Sequence, residues 1–330
     1  KQVTGSGTTQ ITINPSVDLA SSTEYYIQIP ATAFDDASGN SYAGISDKTS
    51  LSFTTASFKK IGGDIIGEAT YDSSGKSISL SADGSVIAIG AHNNDDNGKN
   101  SGHVRIYRNN SGTWTKVGND IDGEAKYDFS GESISLSADG SIVAIGAYAN
   151  DGNGSSSGHV RVYKNNNGSW QQIGSDIDGE AKSDNSGETV SLSADGSTVA
   201  IAAPFNNDNG SRTGHVRIYK NNNGSWQQIG SDIDGEAKDD YSGRSISLSA
   251  DGSTVAIAAP SNDGNGSSSG HVRIYKNNNG SWQQIGNDID GEAANDYLGQ
   301  SVGLSADGSI VAIGAPGNDC LLYTSPSPRD

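Results

Sequence analysis

Residues 131–147 read G-E-S-I-S-L-S-A-D-G-S-I-V-A-I-G-A. Ile134 and Leu136 alternate with serines, the period-two pattern of a half-buried strand. Asp139 and Gly140 then offer a hairpin turn, because Gly takes a positive φ without steric cost. The run from Ile142 to Ala147 is apolar on both faces, as a strand in the middle of a packed sheet should be. After a polar loop, His159–Tyr163 alternates again, with Val160 and Val162 on one face and His159, Arg161 and Tyr163 on the other. N-N-N-G at 165–168 is a second turn, and a fourth strand starts at Ser169. No helical periodicity interrupts this order.

The same string returns at a fixed step. Asp83, Asp139, Asp195, Asp251 and Asp307 occupy one column, each 56 residues from the last. His103, His159, His215 and His271 form a second column, and Trp114, Trp170, Trp226 and Trp282 a third, which Phe58 extends backwards. Residues 58–319 therefore hold four complete units and most of a fifth. Four short antiparallel strands per unit at constant spacing is the pattern of a β-propeller blade, which cannot bury both faces alone and must stack on its neighbours. A β-solenoid is the competing architecture, but its coils are nearer 20 residues.

Composition fits that reading only once the repeat is seen. The 330 residues are 32% hydrophobic and carry a net charge of −18, a balance usual in disordered chains. Forty-four glycines and many small residues suit close packing between blades, so few large aliphatics are needed. The acidic balance argues against nucleic acid as a partner, which would demand a basic stripe. No apolar run is long enough for a transmembrane helix. Cys320 is the only cysteine, so neither an intrachain disulfide nor a thiolate zinc site is expected. With no Met at position 1 and no leader-like segment, the chain reads as part of a longer protein.

The last unit, Y-L-G-Q-S-V-G-L-S-A-D-G-S-I-V-A-I-G-A-P at 297–316, resembles the FG-GAP repeat of integrin-alpha-like propellers. Leu298-Gly299 stands at the F-G pair and Gly314-Ala315-Pro316 at G-A-P, while Gly270–Tyr275 matches the third strand of the preceding unit. The resemblance covers some 260 residues in register and implies an extracellular or cell-surface binding module. Calcium-binding members carry D-x-[DN]-x-D-G between the motifs, whereas L-S-A-D-G-S here has a single carboxylate. No cofactor is required on this reading. Calcium stays open only through other carboxylates, because the family's usual calcium loop is absent.

Residues 1–56 differ in texture. Segments such as I-T-I-N-P and L-S-F-T-T resemble the later strands of a bacterial Ig-like domain of the surface-layer type, so a truncated Ig-like β-sandwich is expected there. The expected domains are thus 1–56, then an all-β propeller of four-stranded antiparallel blades over 57–319. Residues 320–330, C-L-L-Y-T-S-P-S-P-R-D, break the repeat and resemble non-native read-through.

Two columns carry candidate chemistry. Trp114, Trp170, Trp226 and Trp282 could stack on sugar rings at every blade, or simply pack over the adjacent blade. In D-I-D-G-E, Asp120, Asp122 and Glu124 fall on one face if extended, as do Asp176, Asp178 and Glu180, and like charges so placed repel unless solvated or gathered round a cation. The His column is expected to be structural, each ring bonding a neighbouring carbonyl. With no nucleophile elbow, zinc-protease, Walker or dinucleotide motif, and no break in the repeat symmetry, no enzyme is expected. The expected role is adhesion or protein binding at a cell surface. Multivalent glycan binding and a purely structural module are the alternatives.

Overall fold

The computed structural model describes residues 2–4, 12–14, 20, 23–29, 43–54 and 60–318. Phe58, Cys320 and the 320–330 tail lie outside these, as does most of the 34–44 turn region. Contacts divide the chain between Ile61 and Gly62.

In the first unit Gln2–Thr4 pairs antiparallel with Thr12–Asn14, and Glu24–Tyr26 with Ser52–Thr54. The Tyr25 and Phe53 rings stack across the latter pair at 5.9 Å.

The second unit is a β-propeller array of antiparallel sheets. In the second blade, Ser133–Leu136, Ile142–Ala147, His159–Asn166 and Ser169–Gln172 follow one another in space as in sequence. Blades one, three and four repeat this order, and a fifth shows two strands, Ser301–Leu304 and Val311–Gly314, among the described residues. One strand was missed by the sequence reading. Ile177–Asp178 returns to pair with the start of the third strand, His159↔Asp178 and Val160↔Ile177, making each full blade five-stranded. Two residues are too short to show periodicity, and this piece lies inside D-I-D-G-E.

The S-A-D-G-S turn is also longer than two residues. Gly140 N–H bonds the Ser137 carbonyl at 2.9 Å with Gly140 at φ +67°, a four-residue turn closed by a left-handed glycine. Asp139 Oδ1 accepts from the Ser137 hydroxyl at 2.7 Å and the Ser141 amide at 2.9 Å, which explains why Asp recurs here without a cation.

Because opposed residues in an antiparallel pair share a face, Ile134, Leu136, Val143, Ile145 and Tyr163 all look towards the first blade. They pack on Val86, Ala88, Val104 and Ile106 of that blade. Ala144, Val160 and Val162 look the other way, against Val190, Leu192, Val199 and Ile201 of the third. The core therefore lies between blades rather than within one. Backbone bonds tie successive turns together, Ala82 N–H to Ala138 O and Ala138 N–H to Ala194 O, each 2.8 Å.

Candidate functional site

The third strand places His and Arg two residues apart on the face that meets the preceding blade. The preceding blade's last strand runs into Gly123-Glu124, and Gly123 is held close beneath Ser101, where a Cβ would lie 2.0 Å from the Ser101 carbonyl oxygen. That approach brings Glu124 to His159 and Arg161. Arg161 donates through Nη2 to the Asp122 carbonyl at 2.6 Å, and its Nη1 lies 3.5 Å from Glu124 Oε1. Arg217 repeats the pattern on Asp178 and Glu180, and Arg273 on Asp234 and Glu236. Each Arg also lies over the Tyr two residues on, 5.5 Å for Arg161 and Tyr163.

His159 is buried and, among the described residues, bonds no carbonyl, contrary to the sequence reading. Its Nδ1 faces two carboxylates, Glu124 Oε2 at 3.9 Å and Asp176 Oδ2 at 3.6 Å. His215 faces Glu180 and Asp232 in the same way, and His271 Glu236 and Asp288, whereas His103 faces Glu68 and Asp96, with Asp120 also in its group. Burial, reinforced by the neighbouring Arg161 or Arg217 charge, pushes His159 and His215 down to about 4, so both rings are neutral at neutral pH. Burial also raises Glu124 and Glu180 against the opposing pull of Arg161 and Arg217.

The D-I-D-G-E carboxylates do not converge as expected. Asp120 belongs with His103, while Glu124 belongs with His159 at the next junction. Asp176 and Glu180 are divided likewise between His159 and His215. Asp122 and Asp178 join neither group; their carbonyls take the Arg bonds, and burial raises their carboxyls. The short strand separates what an extended ribbon would have put on one face. The constant 56-residue step held the missing clue, since a Glu of one unit and a His of the next recur together.

The Trp column meets the preceding blade. Trp170 Nε1 donates to the Val117 carbonyl at 2.9 Å, Trp226 to Ile173 at 2.8 Å and Trp282 to Ile229 at 2.9 Å. These rings are half-buried, yet each still lines an open groove. At the second blade the groove, about 320 Å³, is walled by Asp120, Asp122, Tyr163 and Trp170. Asp176, Asp178, Tyr219 and Trp226 line its counterpart at the third, and Asp232, Asp234, Tyr275 and Trp282 that at the fourth. The groove at Trp114 has Ile66 in place of the second Asp.

The polar loops are held by their own bonds. Asn153 Nδ2 donates to the Gly179 carbonyl at 2.9 Å, and Asp151 Oδ1 accepts from the Ser156 amide at 2.8 Å. Asp128 Oδ2 accepts from the Ala125 amide and from Asn150 Nδ2, both at 3.0 Å, a turn role that Asp184 and Asp240 repeat 56 and 112 residues on.

Comparison with protein families matches residues 67–107 to the FG-GAP repeat and residues 1–55 to the bacterial Ig-like domain. The chain thus matches one FG-GAP repeat behind a bacterial Ig-like segment. No curated protein matches it. Solved structures with some likeness include the periplasmic gluconolactonase of Pseudomonas aeruginosa, at 15% identity and TM-score 0.49, covering 88% of this chain and 76% of that one. A putative 6-phosphogluconolactonase from Bacteroides uniformis is 11% identical with TM-score 0.43, covering 72% and 77%. Hydrazine synthase of Kuenenia stuttgartiensis is 13% identical with TM-score 0.44, covering 73% and 61%. Two of these are described as lactonases, so the exclusion of an enzyme drawn from repeat symmetry does not stand. At such identities the likeness transfers no activity to this chain.

Proposed function

We propose that this chain is a binding module of a secreted or surface protein, and that its FG-GAP junction grooves each take one unit of a repeating glycan. The observation that carries this reading is the recurrence, at one place per blade, of an aromatic wall beside two carboxylates. Aromatic faces suit the apolar face of a pyranose, and carboxylates suit paired hydroxyls. Weak equivalent sites on one rigid array gain by avidity, provided the ligand repeats. The acidic walls, on a chain of net charge −18, select neutral or amino sugars over sulfated or sialylated ones.

A glycan array with the full chain tests this. Binding to a neutral or amino-sugar polymer, weakened when Asp122, Asp178 and Asp234 are changed together to Asn, is the expected result. A blank array, or binding indifferent to that change, removes the reading. Protein adhesion is the second reading, favoured by the blade-specific aromatics of the connecting loops. Phe129 stacks on Tyr148 at 5.5 Å, while Phe205 meets Tyr241 edge-on at 5.3 Å, beside Arg212.

A further inference from the structure

The His column is the feature of the array that neither packing nor the grooves account for. The His103 and His215 side chains are each only 1% exposed, and in both rings Nδ1 and Nε2 lack any hydrogen-bond partner among the described residues. Nε2 of His159 lacks one as well. Buried imidazole nitrogens without partners are costly, and here the cost recurs at the same position in three successive blades. What faces Nδ1 is a pair of carboxylate oxygens standing beyond hydrogen-bond range. At His215 these are Glu180 Oε2 at 3.9 Å and Asp232 Oδ2 at 3.7 Å.

Both carboxylates are held from behind. Glu180 Oε1 lies 3.5 Å from Arg217 Nη1, itself anchored on the Asp178 carbonyl. Asp232 Oδ1 accepts from Gln228 Nε2 at 2.5 Å. The oxygen left over on each side chain is the one turned towards the imidazole. This is how the outer partners of a metal site orient its ligands.

We infer that the blade junctions bind a divalent transition ion of the zinc class through His Nδ1, the Glu Oε2 of the preceding blade and the Asp Oδ2 of the same blade. Ligands about 2.1 Å from a tetrahedral ion stand roughly 3.4 Å apart, so these groups need close by only a few tenths of an ångström. Two carboxylates balance the charge of a divalent ion. The imidazole nitrogen favours zinc-like metals over calcium, which prefers a shell of six to eight oxygens. Three protein ligands leave a position open, and the Glu, 39–46% exposed, sits on the solvent side.

The four sites are not equal. At His215, Asp208 brings a fourth donor into the group. At His103 the equivalent Asp96 also stands 3.8 Å from Nδ1, but Lys116, where the other blades have Gln, forms an ion pair with Asp120 and competes with any cation. The tightest site is therefore at His215 and the weakest at His103. This inference stands whether or not the grooves take a sugar.

The test is metal content and cobalt spectroscopy on the full chain, stripped with chelator and reloaded at micromolar free zinc or cobalt. Zinc should load in a ratio above one per chain and at most four, and cobalt should give the visible absorption of a four- or five-coordinate site. Asp232→Asn and Glu180→Gln should each remove the tightest site and lower the ratio by one. These variants change exposed or half-exposed groups, and circular dichroism checks their folding. Arg212→Ala, on a loop outside the sites, should leave uptake unchanged. No uptake, which would mean histidine–carboxylate hydrogen bonds only, overturns the inference. So does uptake that both variants leave intact.

Discussion

Ile134→Ala and Ile78→Ala make the same change in the same S-I-S-L string, yet they should differ several-fold in cost. Ile134 is 8% exposed because its face is covered by the first blade, while Ile78 is 62% exposed. Three carbons are lost in each case, about 2.4 kcal/mol of transfer free energy for a fully buried side chain at ~0.8 per methylene. At Ile134 nearly all of this is lost, and the cavity between Val86 and Val143 adds to it, giving about 2–4 kcal/mol. At Ile78 only the covered part is forfeited and no closed cavity forms, giving about 0.9 kcal/mol. The assay is urea unfolding of the full chain followed by fluorescence. Because a stack of blades need not unfold in one step, amide exchange at Val143 and Ile87 should accompany it. Equal losses, within about 0.5 kcal/mol, would refute the claim that blade-to-blade burial distinguishes the two positions.

Arg161→Met strips a buried charged donor from the Asp122 carbonyl and should cost about 2–3 kcal/mol by urea titration, whereas Arg212→Met, half-exposed, should cost under about 0.5. Gly179→Ala would put a Cβ 1.9 Å from the Ser157 carbonyl oxygen and should cost about 3 kcal/mol, while Gly63→Ala, with nothing nearby, should be near neutral in thermal unfolding. Hydrogen bonds from Ser85 and Ser81 hold Asp83 down to about 2, and those from Ser305 and Ser309 do the same for Asp307. Their folded values lie below the ordinary 3.8, so the stability they contribute is complete above that value and disappears as pH falls through about 2. The stability gap between the wild type and the Asp83→Asn, Asp307→Asn double variant should close over that window; a gap constant down to the lowest pH would show that these turns contribute nothing through charge.

The blade was legible because its evidence is local and repeated. The serine-isoleucine alternation, the two-faced I-V-A-I-G-A run and the Asp-Gly turn each depend on a few adjacent residues, and each recurs at the same step. What stayed hidden depends on the neighbour. S-I-S-L is identical at 77–80, 133–136 and 245–248, yet Ile78 is exposed where Ile134 and Ile246 are buried. The His column was misread for the same reason. Within one unit His159 has only valines and Arg161 beside it, and its Glu124 lies 35 residues back, in the preceding blade. The fifth strand was lost because Ile177–Asp178 is too short to have a period, and losing it placed Asp120, Asp122 and Glu124 on one ribbon.

Departures from strict repetition are informative because everything else is held constant. Ile66 replaces the second groove carboxylate at the Trp114 junction, so the glycan reading expects one weak groove there and three strong ones elsewhere. Lys116 replaces Gln at the same end of the array, and the metal reading also makes that junction weak, but through Asp120 rather than through Ile66. The two causes sit on different residues and separate cleanly. Ile66→Asp should strengthen sugar binding at the first groove and leave zinc uptake at His103 unchanged. Lys116→Gln should free Asp120 and raise zinc uptake, because an Asp held by Gln keeps its second oxygen for the imidazole, as Asp176 does with Gln172 at 2.6 Å. If Lys116→Gln leaves the metal ratio as it was, the ion pair is not what distinguishes that junction, and the argued hierarchy of sites fails with it.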